Sequence, residues 1–129
     1  MKDHELNILL VEDNNQYADE IVKFLERFFG LEVLVTCTLN GLNRLLSRSG
    51  RTFDVIISDE KLPDGDFTTW AKRNQKLLQR KAVIINTALF NERLDRRGNF
   101  PIVNKRDPDL LATTVKKEIA KLMKEVYGY

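Results

Sequence analysis

The sequence predicts an α/β protein in which a parallel sheet of five strands is covered by helices on both faces. Strand-like apolar runs alternate with helix-like periodic segments along all 129 residues, a pattern typical of right-handed crossovers between parallel strands. The strand-like runs are also nearly continuous in apolar residues, which indicates strands buried on both faces of the sheet.

The first half of the chain contains three predicted strands, at about residues 6–11, 32–36 and 53–58. A helix that ends at Gly30 connects the first two strands, and a shorter helix that ends at Gly50 follows the second. The apolar residues at helical spacing are Tyr17, Ile21, Phe24, Leu25, Phe28 and Phe29 in the first helix, and Leu42, Leu45 and Leu46 in the second.

The second half continues the alternation. Leu62-Pro63-Asp64-Gly65 predicts a turn, and a helix capped by Asp66 follows it. Further strands are predicted over residues 82–85 and 100–103, with a short helix over 89–97 between them. Asp107 followed by Pro108 predicts the start of a long final helix. The apolar residues of the two main helices are Phe67, Trp70, Ala71, Leu77 and Leu78, then Leu111, Val115, Ile119, Leu122, Met123 and Val126.

Length and composition predict one globular domain over residues 1–129. The chain has 21 basic and 19 acidic residues, and its net charge of +2 does not indicate a nucleic-acid partner. No apolar run is long enough to span a membrane, and the polar residues 1–5 do not resemble a signal peptide. The single cysteine, Cys37, excludes an intramolecular disulfide and is expected to be buried as a small apolar residue. We therefore expect a cytoplasmic protein.

Carboxylates follow two of the predicted strands. Glu12 and Asp13 come directly after the first strand, and Asp59 comes directly after the third. If these strands are parallel neighbours, the three carboxylates converge at one edge of the sheet. Two such charges at roughly 4 Å repel by about 4 kcal/mol at an effective dielectric of 20. The cluster therefore predicts a bound cation, and Mg²⁺ is the obvious candidate.

Polar side chains also follow the fourth and fifth strands, at Thr87 and Lys105. These side chains make a coherent set for phosphoryl transfer. The acids can hold Mg²⁺, one acid is free to attack, and the hydroxyl and the ammonium can bind the oxygens of a phosphoryl group. The segment after the first strand, Asp13-Asn14-Asn15-Gln16, contains no glycine. Dinucleotide binding and P-loop chemistry are therefore not indicated.

Together these motifs resemble the response-regulator receiver domains of two-component signalling. The resemblance covers nearly the whole chain and rests on Val11-Glu12-Asp13, on Asp54-Val55-Ile56-Ile57-Ser58-Asp59 with the turn at 62–65, on Thr87-Ala88, and on Lys105. It implies a chemotaxis-regulator-like, (βα)5 flavodoxin-like fold with strand order 2-1-3-4-5.

The resemblance implies a role for each site residue. Asp59 would accept a phosphoryl group from a histidine kinase or a phosphotransfer protein of a phosphorelay. Asp13 and Asp59 would ligate Mg²⁺ directly, Glu12 directly or through water, and Lys61 through its backbone carbonyl. Thr87 and Lys105 would bind the phosphoryl oxygens. These roles describe a domain that catalyses its own aspartyl phosphorylation and dephosphorylation without turning over a separate substrate.

The same resemblance implies protein partners. The phosphorylated form would bind a downstream protein target. A second copy of the chain, forming a homodimer, is a further possible partner. No direct contact with nucleic acid or with a membrane is implied.

Some features depart from the family pattern. Ile102 stands where many members carry an aromatic residue, and Arg106 replaces the usual proline after Lys105. The interval from Thr87 to Lys105, 105 − 87 = 18 residues, is short and predicts a short or irregular fourth helix. Lys61 could reach over the site and pair with Glu12 or with the phosphoryl group, while Leu89 offers nothing to orient water. We therefore expect a long-lived phosphorylated form.

Other interpretations remain open at this level. Asp59 could cap the turn, Glu12 could be a solvated acid, and Thr87 and Lys105, taken singly, could be an ordinary hydroxyl and a surface lysine. A receiver-like docking module that is never phosphorylated would carry the same fold. A Mg²⁺-dependent phosphatase is disfavoured because Lys61 stands where its second acid is needed.

Overall fold

The computed structural model describes residues 6–88, 96–97 and 100–128. A short 3₁₀ helix, Gln75–Leu78, follows the third α-helix. The remaining elements, in chain order, are β1 (Ile8–Val11), α1 (Asn15–Phe29), β2 (Val33–Thr36), α2 (Leu39–Arg48), β3 (Val55–Ser58), β4 (Lys61–Leu62), β5 (Gly65–Asp66), α3 (Phe67–Arg73), β6 (Ala82–Thr87), β7 (Arg96–Arg97), β8 (Phe100–Asn104) and α4 (Pro108–Tyr127).

Five of these strands form a parallel sheet in the order β2-β1-β3-β6-β8. The predicted fold class and the strand order 2-1-3-4-5 are therefore confirmed. The register is level, since Ser58 of β3 lies opposite Val11 of β1 and also opposite Ile85 of β6. All residues that follow these strands consequently emerge at the same edge of the sheet.

Helices cover both faces of the sheet, because alternate strand residues point in opposite directions. Ile8 and Leu10 belong to one buried cluster with residues of α1 and α4. Leu9 and Val11 belong to the other, with residues of α2 and α3. The central strands are buried on both sides, as their continuous apolar sequences predict. No helix among the described residues combines the length and apolar character needed to cross a membrane.

Local capping fixes the ends of the two long helices. The side chain of Asn14 accepts a hydrogen bond from the Tyr17 amide at the start of α1, and Gly30 ends that helix with φ 67°. The predicted cap of α4 is confirmed, because Asp107 accepts a hydrogen bond from the amide of Leu110.

The third helix differs from its prediction. It ends at Arg73, so the apolar Leu77 and Leu78 lie in the 3₁₀ helix instead. Asp66 occupies the N-cap position but makes no capping hydrogen bond. The antiparallel pairing of β4 with β5 places Asp66 opposite Lys61, whose ammonium donates to it at 2.9 Å.

The segment between β6 and β8 and the environment of Cys37 were also predicted from the sequence. Of the short helix predicted over 89–97, residues 89–95 lie outside the described residues, while Arg96 and Arg97 pair with β8 as the antiparallel strand β7. The prediction that Cys37 is buried is wrong. It lies just past the end of the edge strand β2, in the exposed connection to α2.

Asp64 joins the turn after β4 to the start of α2. Its two carboxylate oxygens accept hydrogen bonds from the backbone amides of Leu39 and Asn40, both at 2.9 Å. Slight burial acts to raise the pKa of Asp64, but these amide hydrogen bonds outweigh it and hold the pKa below the ordinary 3.8. A residue of the turn thus caps a helix that precedes it by about 25 positions.

We expect Asp64→Asn to lower the free energy of unfolding by about 1 kcal/mol, because one amide of α2 loses its charged acceptor. Asp66→Asn is the matched control and should cost about 0.5 kcal/mol or less, since it loses only an exposed ion pair. Urea denaturation at neutral pH measures both. Because the folded pKa is depressed, the contribution of Asp64 is present above pH 3.8 and disappears as the pH falls through the folded value. Equal losses in the two variants would contradict the capping role.

Candidate functional site

Three carboxylates meet where β1 and β3 end. Glu12 and Asp13 follow β1, Asp59 follows β3, and each offers an oxygen within 4.8 Å of the others. Glu12 and Asp59 are buried, whereas Asp13 is exposed. The convergence predicted from the sequence is therefore present, and it results from the parallel pairing of two adjacent strands.

Lys105 brings a positive charge into this cluster. Its ammonium lies 2.7 Å from Glu12 Oε1 and 2.7 Å from Asp59 Oδ2, and only 15% of its side chain is exposed. The Lys105 amide donates to the carbonyl of Thr87 at 3.2 Å, which extends the pairing of β8 with β6 by one residue. Lys105 is thus a partner of the acids and not the surface lysine that it could have been if it stood alone.

Burial and pairing act in opposite directions on these groups. Burial raises the pKa of Glu12, and the hydrogen bonds from Lys105 and from the Asn14 amide offset this only in part. Burial by itself lowers the pKa of Lys105, but the hydrogen bonds to Asp59 and Glu12 outweigh it and leave the pKa raised. The ammonium therefore stays charged at neutral pH.

The donor atoms of the cluster fit a hard divalent cation. Three carboxylates within one small volume match the oxygen-rich ligand sets of Mg²⁺. Asp59 Oδ1 accepts a hydrogen bond from the Glu60 amide at 2.8 Å, while Oδ2 contacts Lys105. Each carboxylate oxygen has two lone pairs, so both retain capacity for a further ligand.

The other predicted site residues lie around this centre. Thr87 is buried at the end of β6, which is the neighbour of β3, and Ala88 after it is exposed. Lys61 lies on β4, where its ammonium pairs with Asp66 and not with Glu12, one of the two partners that the sequence left open for it. The roles of Thr87 and of the Lys61 carbonyl stay predictions, and Leu89 lies outside the described residues.

Several solved structures with the same architecture are described as receiver or response-regulator domains. The N-terminal domain of a response regulator/sensory box/GGDEF three-domain protein from Carboxydothermus hydrogenoformans is 25% identical, with 93% of this chain and 98% of that chain covered and a TM-score of 0.77. The receiver domain of the hybrid histidine kinase CckA is also 25% identical, with coverages of 87% and 97% and a TM-score of 0.71.

A CheY-like receiver domain protein from Methanospirillum hungatei is 24% identical, with 95% of this chain and 99% of that chain covered and a TM-score of 0.76. This chain has the fold of a response-regulator receiver domain. No protein-family model matches the sequence, and no curated protein matches it either. The resemblance inferred from the strand-end motifs is thus confirmed by the receiver fold.

Two residues near this site were not recognised from the sequence as part of it. Tyr17 was predicted only as a core residue of α1, yet Lys105 Nζ lies 4.9 Å from the centre of its ring. Asn86 donates to the Tyr17 hydroxyl at 2.7 Å. The one available signal was an amide in the buried strand Ala82–Thr87, whose first four residues are apolar.

Glu60 was also missed. It is buried next to Asp59, and its carboxylate accepts hydrogen bonds from the Thr68 amide at 3.1 Å and from the Thr68 hydroxyl at 2.6 Å. It therefore caps α3 in place of Asp66. This links the residue after Asp59 directly to the first turn of α3.

We expect Lys105→Met to lower the free energy of unfolding by about 2 kcal/mol in the presence of a chelator, because buried Glu12 and Asp59 lose their countercharge. Lys121→Met is the matched control, since Lys121 makes only an exposed contact of 3.3 Å with Glu118, and it should cost less than about 0.5 kcal/mol. Urea denaturation checks both. Equal stability of Lys105→Met and the unmodified protein would show that the acids do not depend on this ion pair.

Proposed function

We propose that this chain is a phosphoacceptor receiver domain of a two-component phosphorelay and that Asp59 is the acceptor. The observation that carries the proposal is the position of Asp59 at the sheet edge, within 4.8 Å of the other two acids and 2.7 Å from the ammonium of Lys105. A turn cap needs neither of these contacts. The similarity to receiver domains, including that of a hybrid histidine kinase, supports the proposal.

The donor is a phosphohistidine on a histidine kinase or phosphotransfer protein. A carboxylate oxygen of Asp59 attacks the phosphorus, the new O–P bond forms, and the N–P bond breaks with its electron pair remaining on the histidine nitrogen. The hydrogen bond from the Glu60 amide to Oδ1 fixes the rotation of the carboxyl group. Asp59 is therefore oriented before the donor arrives.

The cation site belongs to the same proposal. Asp13 and Asp59 would hold Mg²⁺ directly, Glu12 directly or through water, and Lys61 through its backbone carbonyl. When bound, the ion would neutralise charge on the phosphoryl oxygens and on the clustered carboxylates. Asp13 is exposed, so its carboxylate is accessible from solvent.

Lys105 and Thr87 complete the proposed site. The ammonium of Lys105 already contacts Asp59 Oδ2, so a phosphoryl group on that carboxylate would meet it immediately. Thr87 ends the neighbouring strand and would donate its hydroxyl to another phosphoryl oxygen. Both groups would stabilise charge that develops during transfer.

The phosphorylated domain would act as a switch for partner binding. We place the domain, residues 1–129, in the cytoplasm, where phosphorylation of Asp59 would change binding to a downstream protein target or to a second copy of the chain. Ile102 packs with the cluster under α2 and α3, where Phe100 also lies. The change in partner binding would therefore occur without an aromatic side chain at position 102.

Incubation with acetyl phosphate and Mg²⁺ should add one phosphoryl group to the protein, detected by intact mass. Asp59→Asn should abolish the addition because it removes the nucleophile, and a chelator should suppress it. Thr87→Ala should slow it by about tenfold, since one oxygen-stabilising donor is lost.

The phosphorylation assay and two further measurements distinguish the alternative functions. If the protein gains no phosphoryl group, and beryllofluoride with Mg²⁺ leaves the amide signals of Asp59, Thr87 and Lys105 unchanged, the chain is a docking module. Turnover of model phosphate esters would instead identify a phosphatase.

A further inference from the structure

We propose that Tyr17 is a positioning residue that holds the ammonium of Lys105 at the acceptor carboxylate, and that Asn86 fixes Tyr17 in this role. The inference rests on the proposed function of Asp59. It concerns residues of α1 and β6 that have no part in ligating the ion or in accepting the phosphoryl group.

The first contact is between the tyrosine ring and the lysine charge. Lys105 Nζ lies 4.9 Å from the ring centroid of Tyr17, within the range of a cation–π interaction. Glu12 and Asp59 contact the same ammonium at 2.7 Å. A lysine side chain has four rotatable bonds, and the ring adds a third fixed partner that restricts where its charge can lie.

The second contact is between the Tyr17 hydroxyl and the backbone. The hydroxyl donates to the carbonyl of Lys105 at 3.4 Å, while the Lys105 amide donates to the carbonyl of Thr87 at 3.2 Å. Lys105 lies just beyond the end of β8 at Asn104. Its peptide groups are therefore held on both sides although the regular strand has already ended.

Asn86 fixes the position of the Tyr17 hydroxyl. It is only 1% exposed, and its side-chain amide donates to that hydroxyl at 2.7 Å. Among the described residues no group donates to Asn86 Oδ1. An apolar residue at position 86 would leave no buried polar atom without a hydrogen bond. What asparagine adds at this position is therefore its hydrogen bond to Tyr17.

The protonation of Tyr17 agrees with this arrangement. Burial raises the pKa of Tyr17, and the hydrogen bond from Asn86 and the charge of Lys105 offset this only in part. The hydroxyl therefore keeps its proton at neutral pH and can donate to the Lys105 carbonyl.

Positioning matters when the carboxylates acquire another cation. A divalent ion on Glu12 and Asp59 would compete with Lys105 for the same oxygens and repel its charge. The Tyr17 ring offers the ammonium an uncharged attractive surface at the site. Lys105 would then remain next to Asp59 and reach the incoming phosphoryl oxygen without a search through its rotamers.

The test compares Tyr17→Leu and Tyr17→Phe with Phe28→Leu, a control that removes an exposed aromatic ring from the same helix. With acetyl phosphate and Mg²⁺, Tyr17→Leu should be phosphorylated about tenfold more slowly, because both contacts are lost. Tyr17→Phe keeps the ring but loses the hydroxyl that Asn86 holds, so it should be only roughly twofold to threefold slower. Phe28→Leu should match the unmodified protein. An unaltered rate in Tyr17→Leu would overturn the inference.

A second readout needs neither ion nor phosphodonor. In the unmodified protein the ring should shift the NMR signals of the Lys105 side-chain methylene next to Nζ upfield. The shift should persist in Tyr17→Phe and disappear in Tyr17→Leu. If the unmodified protein shows no such shift, the ring contact is refuted. If the shift behaves as expected but no variant is phosphorylated, the proposed function of Asp59 fails while the contact stands.

Asn86→Val separates positioning from stability. Its thermal midpoint should equal or exceed that of the unmodified protein, because a half-satisfied buried amide is removed. Its phosphorylation should nevertheless be roughly twofold to threefold slower, since the Tyr17 hydroxyl loses its donor. A loss of stability together with an unchanged rate would assign Asn86 a structural role only and overturn its part in the inference.

Discussion

The ion pairs of Lys105 with Glu12 and Asp59 are the interaction on which the organisation of the site depends. Each of the three charged groups follows a different strand of the sheet, and two of the three partners are buried. Buried carboxylates are tolerated only with a countercharge and good hydrogen bonds. The lysine supplies both, and it joins the end of β8 to the ends of β1 and β3.

The segment after Asp59 connects this centre to the helices of one face. Glu60 caps α3 through Thr68, and Asp64 caps α2 through the amides of Leu39 and Asn40. A displacement of the end of β3 at Asp59 would therefore be transmitted to the first turns of two helices. On the opposite face, α1 approaches the site through Tyr17, whose ring contacts Lys105. The region around Asp59 is thus connected to helices on both sides of the sheet.

Much of the fold and the centre of the site could be predicted from the sequence, because both depend on short-range patterns. Continuous apolar runs identify buried strands, helical spacing identifies the helices, and the level register of parallel strands brings Glu12, Asp13 and Asp59 together. The cap at Asp107 was also predictable, since its acceptor and donor lie three residues apart.

The sequence by itself determined which residues could carry charge and chemistry at the sheet edge. Only the tertiary structure decided which of them contact one another. Asp64 caps a distant helix, Asp66 pairs with Lys61, and Glu60 takes the cap that Asp66 was expected to provide. Tyr17 and Asn86 join Lys105 across three separate elements. Leu39 and Asp64 are 25 residues apart along the chain, and Tyr17 and Asn86 are 69 apart. The pairs Lys61–Asp66 and Glu60–Thr68 are nearer in sequence, at 5 and 8 residues. In every case hydrophobic periodicity indicates only which face a side chain occupies, not which residue it contacts there.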